Sequence, residues 1–292
     1  MPNFPVDMHI HSHYSDGYFP PTEIVRQAYH AGLTTICLTD HDCWYGLPKF
    51  MQALKIFGLQ GLAGIEISSF LNGEILHILG YGIDYTQNEL LESILRPNWQ
   101  VINQRAEKSL EAYKHAGLVE PSLTLQLVNQ LLSCPSPCTF KLWLREFRQK
   151  FGHVSFAQAI AETSKHGIAF AKFNKDKLIS SFEAIRLIHM LGGIAVWAHP
   201  GKILTKDPAL FNDLLIALIR QGKLDGLELN HQHNFGFETT LVQIATEYEL
   251  ITTGGSDFHG KFKPDVLLGT EGISEQQFTA FKTSLNIIKN HT

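Results

Sequence analysis

The stretch Val6–Gly17, V-D-M-H-I-H-S-H-Y-S-D-G, sets the frame for the whole chain. Asp7, His9 and His11 alternate with apolar Val6, Met8 and Ile10, so on a strand the three polar side chains share one face. Imidazoles side by side on an otherwise apolar strand repel when protonated and lose hydration when neutral. A divalent cation relieves both, because neutral imidazole nitrogens are good ligands for zinc, iron or manganese. The ordinary alternative is two core histidines with hydrogen-bond partners. His-x-His after an aspartate, closed by Ser15-Asp16-Gly17, favours the metal. The missing ligands must then come from elsewhere in the chain.

Following the chain outward, Pro20-Pro21-Thr22 opens a helix that Gly32 stops, and the β-branched run Thr34–Leu38 ends at Asp40-His41-Asp42. A helix over Leu47–Phe57 leads to a strand over Leu59–Ile67 that holds Glu66, and His77 sits in a further strand ending near Gly82. From about Asn88 to His166 apolar residues recur at helical spacing without strand-like runs, which predicts several short helices with Cys134–Cys138 as a proline-stiffened turn. After Ser181 strands and helices alternate again. The strand Ile194–Trp197 runs into Ala198-His199-Pro200-Gly201, the strand Leu224–Leu229 into Asn230-His231-Gln232-His233, and the strand Leu250–Thr253 into a segment carrying Asp257 and His259. The expected organisation is a barrel formed by residues 1–95 and 179–292, interrupted by a helical insertion over 96–178.

Strands alternating with helices predict a parallel sheet with enough strands for a closed barrel, whose reactive residues lie at strand carboxyl ends. His9 and His11, Asp40 and His41, Glu66, His199, and Asp257 and His259 fall at such ends. With His77, six imidazoles join the carboxylates of Asp16, Glu66 and Asp257. One ion takes roughly four to six donors, so this set points to two or three, with Glu66 able to bridge. Ions about 3.5–4 Å apart suit phosphoester hydrolysis, since they generate hydroxide near neutral pH and stabilise both attacking and leaving oxygens.

Composition narrows the classes. The 292 residues, 44% hydrophobic, have a net charge of −4, which argues against a coat on long duplex nucleic acid. Residues 1–5 lack a basic and apolar leader, and no apolar run approaches the ~18 residues of a membrane span. Four cysteines in this length make no disulfide framework and fit free thiols in a reducing cytoplasm.

These motifs resemble the PHP (polymerase and histidinol phosphatase) phosphoesterases: D-x-H-x-H at Asp7, His9 and His11, S-D-G at Asp16, T-D-H-D at 39–42, G-I-E-I-S at Glu66, H-I-L-G-Y at His77, A-H-P-G-K at His199 and Lys202, and G-S-D-F-H at Asp257 and His259. The insertion before A-H-P resembles the subgroup acting on nucleotide 3',5'-bisphosphates and on the 5' ends of short RNA. The resemblance implies a distorted (β/α)7 TIM-like barrel with a trinuclear site. His9, His11, Glu66 and Asp257 would hold one ion, Glu66, His77 and His199 a second, and Asp16, His41 and His259 a third. Glu66, His199 and Asp257 would also be catalytic, and Asp7, Asp40 and Asp42 would orient imidazoles. The implied activity is hydrolysis of a phosphate ester by hydroxide held between ions.

Substrate contacts are expected from Lys202, Arg105 and His231. Lys141, Arg145 and Arg148 share a helix face with Trp143, Phe147 and Phe151 interleaved, read as a solvated face beside a buried one. The segments Cys134–Phe140 and Ala169–Lys175 depart from the subgroup's pattern where substrate specificity is read. Two other readings stay open: a phosphatase for a small metabolite such as histidinol phosphate or a sugar phosphate, and a metal-stabilised binding module without catalysis.

Overall fold

The computed structural model describes residues 2–133, 136–138 and 140–291, apart from the side chains of Lys141 and 288–291. The first half builds β1 (Val6–Ile10), α1 (Pro21–Ala31), β2 (Thr35–Leu38), α2 (Leu47–Phe57), β3 (Gln60–Leu71) and β4 (Glu74–Tyr81). Helices α3 (Asn88–His115), α4 (Leu125–Leu132), α5 (Lys141–Phe151) and α6 (Phe156–Thr163) follow. The second half contributes α7 (Ser181–Met190), β5 (Ile194–Trp197), α8 (Gly201–Lys206), α9 (Pro208–Ala217), β6 (Gly226–Asn230), α10 (Glu238–Glu247), β7 (Ile251–Gly254) and α11 (Glu275–His291).

The strands form one seven-stranded sheet in sequence order. All neighbours are parallel except β4, which runs against both β3 and β5. The sheet is parallel as expected except at β4, and the reason is local. Leu71 pairs with Glu74 across a two-residue turn, Asn72-Gly73, with φ of +46° and +87°. Asn-Gly with two positive φ values is the tight turn that joins antiparallel strands. Reversal also explains His77. It lies early in β4 opposite Ser68, so it reaches the same end of the sheet as the carboxyl ends of the parallel strands. Glu66 lies within β3, which continues into the hairpin.

No strand ladder joins β1 to β7. The two edges meet just beyond β7, where the Asp257 N–H donates to the His9 carbonyl (2.8 Å) and the His11 N–H to the Phe258 carbonyl (2.9 Å). Gly255 permits this approach, since a Cβ there would stand 2.3 Å from the His9 nitrogen.

The apolar stripes of α1, α2, α7, α9 and α10 pack on the sheet in one large core, with Ile24, Phe50, Ile188, Phe211 and Leu241 buried. A second cluster, with Val6, Met8, Tyr81 and Val196, is covered by Phe278, Phe281 and Leu285 of α11. Burying such side chains stabilises by about 1.5–3 kcal/mol each. Among the described residues, no helix is long and apolar enough to cross a membrane.

The insertion differs from the expected run of short helices. Its first helix, α3, continues through Pro97 for 28 residues. Leu91 and Leu95 belong to the main core, whereas Ala106, Leu110 and Tyr113 pack with Val128, Leu144 and Phe147 in a separate core. Between them, buried Asn98 fastens the helix down. Its amide donates to Asp42 Oδ1 (2.7 Å) and the Ser68 carbonyl (2.6 Å), and its oxygen accepts from the Ile179 N–H (3.0 Å). Cys37, Cys43 and Cys138 are free thiols, while Cys134 and Pro135 of the expected turn, and Thr139 after it, lie outside the described residues.

Candidate metal centre

Polar groups that could not be buried singly converge where the strands end. Glu66, almost fully buried, is the hub. Its Oε1 stands 2.8 Å from His77 Nδ1 and 3.1 Å from His199 Nε2, and its Oε2 3.1 Å from both His9 Nε2 and His11 Nε2 and 3.2 Å from His41 Nδ1. His9 Nε2 and His11 Nε2 are also 3.1 Å apart.

The hydrogens needed to satisfy these contacts are in short supply. His9 Nδ1 lies 2.8 Å from Glu228 Oε1, a carboxylate that accepts only, so the Nδ1–H points away and Nε2 is left as a lone pair in the neutral ring. His259 Nδ1 likewise donates to the Asp257 carbonyl (2.7 Å), which turns its Nε2 toward Asp16 (3.1 Å). His41 Nδ1 is buried without a hydrogen-bond partner. Lone pairs and carboxylate oxygens crowded at about 3 Å repel unless a proton or cation lies between them.

Among the described residues four groupings could each hold an ion: His9, His11, Glu66 and Asp257; His41, Glu66 and His77; His11, Asp16, His41 and His259; and His9, Glu228 and His231. His199 meets Glu66 on the side that His77 also contacts. The nine residues expected as ligands are thus brought together, and the donor set of imidazoles and carboxylates fits divalent zinc, iron or manganese. The backbone is strained to achieve this, since His199, Asp257 and Asp42 have φ of +36°, +58° and +49°. Each such conformation costs on the order of 1–3 kcal/mol and recurs at functional sites.

Charge follows geometry. Burial alone would lower His9 and His11, yet carboxylates reverse it. Glu228 and Glu66 raise His9 well above the ordinary imidazole value, and Asp257, Glu66 and Asp16 raise His11 to about 9. Burial dominates at His41 and lowers it to about 3. Burial would raise Glu66 and Asp257, but neighbouring imidazoles, His41 and His259 foremost, hold both well below the carboxylate range.

The aspartates expected to orient imidazoles are corrected by the structure, because none bonds an imidazole. Asp7 accepts from the Ser256 N–H and hydroxyl and from the Gly269 N–H. Asp40 accepts from the Ser12 N–H and hydroxyl and the Ser15 hydroxyl, and Asp42 from the Ser68 N–H and Asn98. They fasten loops to strands, and burial raises Asp7 and Asp42 to about 6. The imidazole-orienting carboxylate is Glu228, which sequence reading missed. It is fully buried, and its second oxygen accepts the His199 N–H (2.7 Å).

A cavity of about 620 Å3 opens over the cluster. Asp16, His41, Glu66, His77, His199, Asp257 and His259 line one side, and Lys202 and Arg105 also reach it. Lys263, another missed residue, holds Asp257 Oδ2 at 2.7 Å. His231 stands elsewhere. Its Nδ1 accepts the His233 N–H, so Nε2 carries the proton and faces Asp257 Oδ2 at 3.6 Å, behind the cavity wall. At Arg145 and Arg148 the basic face of α5 is not solvated as expected, and the Lys141 side chain lies outside the described residues. Arg148 is buried against Glu162, and Arg145 lines the cavity.

Residues 7–232 match the PHP domain family. The chain is 29% identical over 263 residues, 88% of its length and 94% of the relative's, to a phosphoribosyl 1,2-cyclic phosphate 1,2-diphosphodiesterase of Eggerthella lenta. It is 28% identical to a 5'-3' exoribonuclease of Haemophilus influenzae, covering 87% and 89% of the two chains. It is also 27% identical to a 3',5'-nucleoside bisphosphate phosphatase of Chromobacterium violaceum, covering 87% of each. A crystal structure from Bifidobacterium adolescentis, described as that of a metal-dependent phosphoesterase, superposes with a TM-score of 0.77 at 27% identity over 96% of both chains.

Proposed function

This chain belongs to the PHP domain family, and from that premise we propose that it is a divalent-metal-dependent phosphoesterase acting on nucleotide-related substrates. The finer reading is hydrolysis of a nucleoside 3',5'-bisphosphate or of a short 5'-phosphorylated oligonucleotide, in keeping with the relatives' activities. The observation that carries it is the Glu66 hub. One buried carboxylate faces five imidazole nitrogens within 3.2 Å, an arrangement that suits cations better than protons.

His9, His11, Glu66 and Asp257 would hold one ion, Glu66, His77 and His199 another, and Asp16, His41 and His259 a third. Manganese, iron or zinc bound there would lower the pKa of water and neutralise phosphoryl charge. The chain's own residues supply the rest. Glu228 fixes the His9 ring by accepting from Nδ1 and fixes the His199 turn by accepting its N–H. His231 stands behind Asp257, with its Nε2 3.6 Å from Oδ2. Lys202 lends positive charge to the phosphoryl oxygens within the cavity, and Arg105 reaches the part of the substrate remote from the ions.

The test is phosphate release by the manganese-loaded protein from adenosine 3',5'-bisphosphate, a 5'-phosphorylated RNA trimer and histidinol phosphate at equal concentration, with His77→Ala as the blank. Turnover of the bisphosphate or the RNA above the other substrates is expected, with none in the variant. Preference for histidinol phosphate would overturn the nucleotide reading. Silence on all three with metal bound would favour a binding module.

A further inference from the structure

The three carboxylates among the candidate ligands are not alike. Both oxygens of Glu66 and both of Asp16 face imidazole nitrogens. Asp257 is divided. Its Oδ1 lies 3.2 Å from His11 Nε2, 3.4 Å from His259 Nδ1 and 3.7 Å from His9 Nε2, on the side where His9, His11 and Glu66 would share an ion with it. Its Oδ2 turns away and accepts from Lys263 Nζ at 2.7 Å. Among the described residues no other candidate ligand accepts from a lysine.

The surrounding chain holds this contact in place. Lys263 follows the short 3-10 turn Gly260–Phe262; its N–H donates to the Gly260 carbonyl and its own carbonyl accepts from the Val266 N–H, each at 3.0 Å. Phe262 pins the turn, with its ring 5.4 Å from that of Tyr18 and stacked 5.3 Å from Phe156 of α6. The backbone of Asp257 is fixed as well, with φ of +58° and its N–H on the His9 carbonyl (2.8 Å). What remains is rotation of the carboxylate about Cβ–Cγ, and the ammonium on Oδ2 restrains it. His231 Nε2, 3.6 Å from Oδ2 and without a hydrogen-bond partner, is too far away to do so.

A carboxylate binds an ion through one oxygen or through two. Two would fill a further position on the ion, whereas hydrolytic sites keep a position open for water. An ammonium on the second oxygen enforces binding through the first. Its charge also draws electron density from the carboxylate, so that the ion polarises water more strongly. Affinity falls in return, because two cations then share one carboxylate.

We propose that Lys263 is a positioning residue that holds Asp257 to one-oxygen ligation, which keeps a position on the ion open to water and lowers ion affinity. The consequence for turnover rests on the phosphoesterase reading above, and the consequence for the ion does not. Removing Lys263 therefore tightens ion binding while slowing the reaction. A lysine that only supports the loop, or only touches substrate, does neither.

The experiment compares the chelator-stripped wild type, Lys263→Met and Lys263→Arg, first without substrate. Calorimetric titration with manganese should give a Kd about tenfold lower in the methionine variant, and one within about threefold of the wild type's in the arginine variant, which keeps the charge. Water-proton relaxation by the bound manganese reports ion-bound water, and should fall in the methionine variant alone. With adenosine 3',5'-bisphosphate and saturating manganese, kcat should drop about tenfold in Lys263→Met at little-changed KM, and Lys263→Arg should recover most of it. Unchanged or weaker ion affinity in Lys263→Met overturns the proposal, as does undiminished relaxation. A raised KM at unchanged ion affinity makes Lys263 a substrate contact and overturns it too. If the wild type hydrolyses no ester, the phosphoesterase reading falls, while affinity and relaxation still decide the role of Lys263.

Discussion

Glu228 offers the sharpest test of how the centre is held. It is fully buried in β6, with Oε1 2.8 Å from His9 Nδ1 and Oε2 2.7 Å from the His199 N–H. Glu228→Gln keeps the shape but has one oxygen for two donors. If the new amide group faces His9, the ring must move its proton to Nε2, which blocks the lone pair aimed at Glu66 and His11. If it faces His199, a buried backbone N–H loses its partner, at a cost of about 1–3 kcal/mol. Loss of a carboxylate that orients a ligating histidine typically lowers metal affinity about 10–100-fold. That range corresponds to roughly 1.4–2.7 kcal/mol. Manganese titration of the chelator-stripped variant should therefore give a Kd at least about tenfold higher, and urea unfolding should show a loss of about 1–3 kcal/mol in the ion-free state. A variant that matches the wild type within twofold in affinity and unfolds at the same urea concentration would refute the role given to Glu228.

Three further outcomes follow from the geometry. His9 and His11 have pKa values raised by carboxylates, His11 to about 9, so the ion-free protein holds protons there at pH 7.5. Manganese binding should release one to two of them, read by calorimetry in buffers of different ionisation enthalpy, and zero release would contradict the assignment. Because both values lie above the unfolded imidazole's, the stability they contribute is full below about pH 6.5, and that of His11 is lost as pH rises through about 9. The ion-free melting temperature should fall over that window. Asn98→Ala removes three buried hydrogen bonds between α3 and the barrel, each worth about 1 kcal/mol, and should cost about 3 kcal/mol in urea unfolding. A loss under about 1 kcal/mol would mean that α3 is held by its apolar contacts alone.

Much of this architecture could be read from residue patterns because local signals agreed with the final packing. The bounds of α2 and β5 follow from Gly46, Gly58 and the apolar run after Gly193. The direction of β4 was not seen, although Asn72-Gly73 carries the hairpin signal, because alternation marks a strand without saying which way it runs. Helix α11 was also missed, yet Ser274 and Gln277 make a reciprocal cap at its start. The cluster of candidate ligands was legible because His and Asp at strand ends are unusual, with few other reasons to stand there. Glu228 was not, since Leu-Glu-Leu in β6 reads equally as a strand with one wet face. The misassigned Asp7, Asp40 and Asp42 show a different limit: nearness in sequence to a histidine does not say which way a carboxylate turns.

The continuity of α3 has a consequence for how this protein can change. Asn98, Ile102 and Arg105 are spaced by four and three residues, so the barrel anchor and the cavity-lining arginine share one helical face. Adding or removing a single residue between them would turn Arg105 by about 100° about the helix axis and shift it by about 1.5 Å. That segment therefore behaves as a phase-locked spacer. Selectivity at this wall can drift by exchange of side chains, while changes in chain length must be taken up elsewhere, in the loops between the later helices.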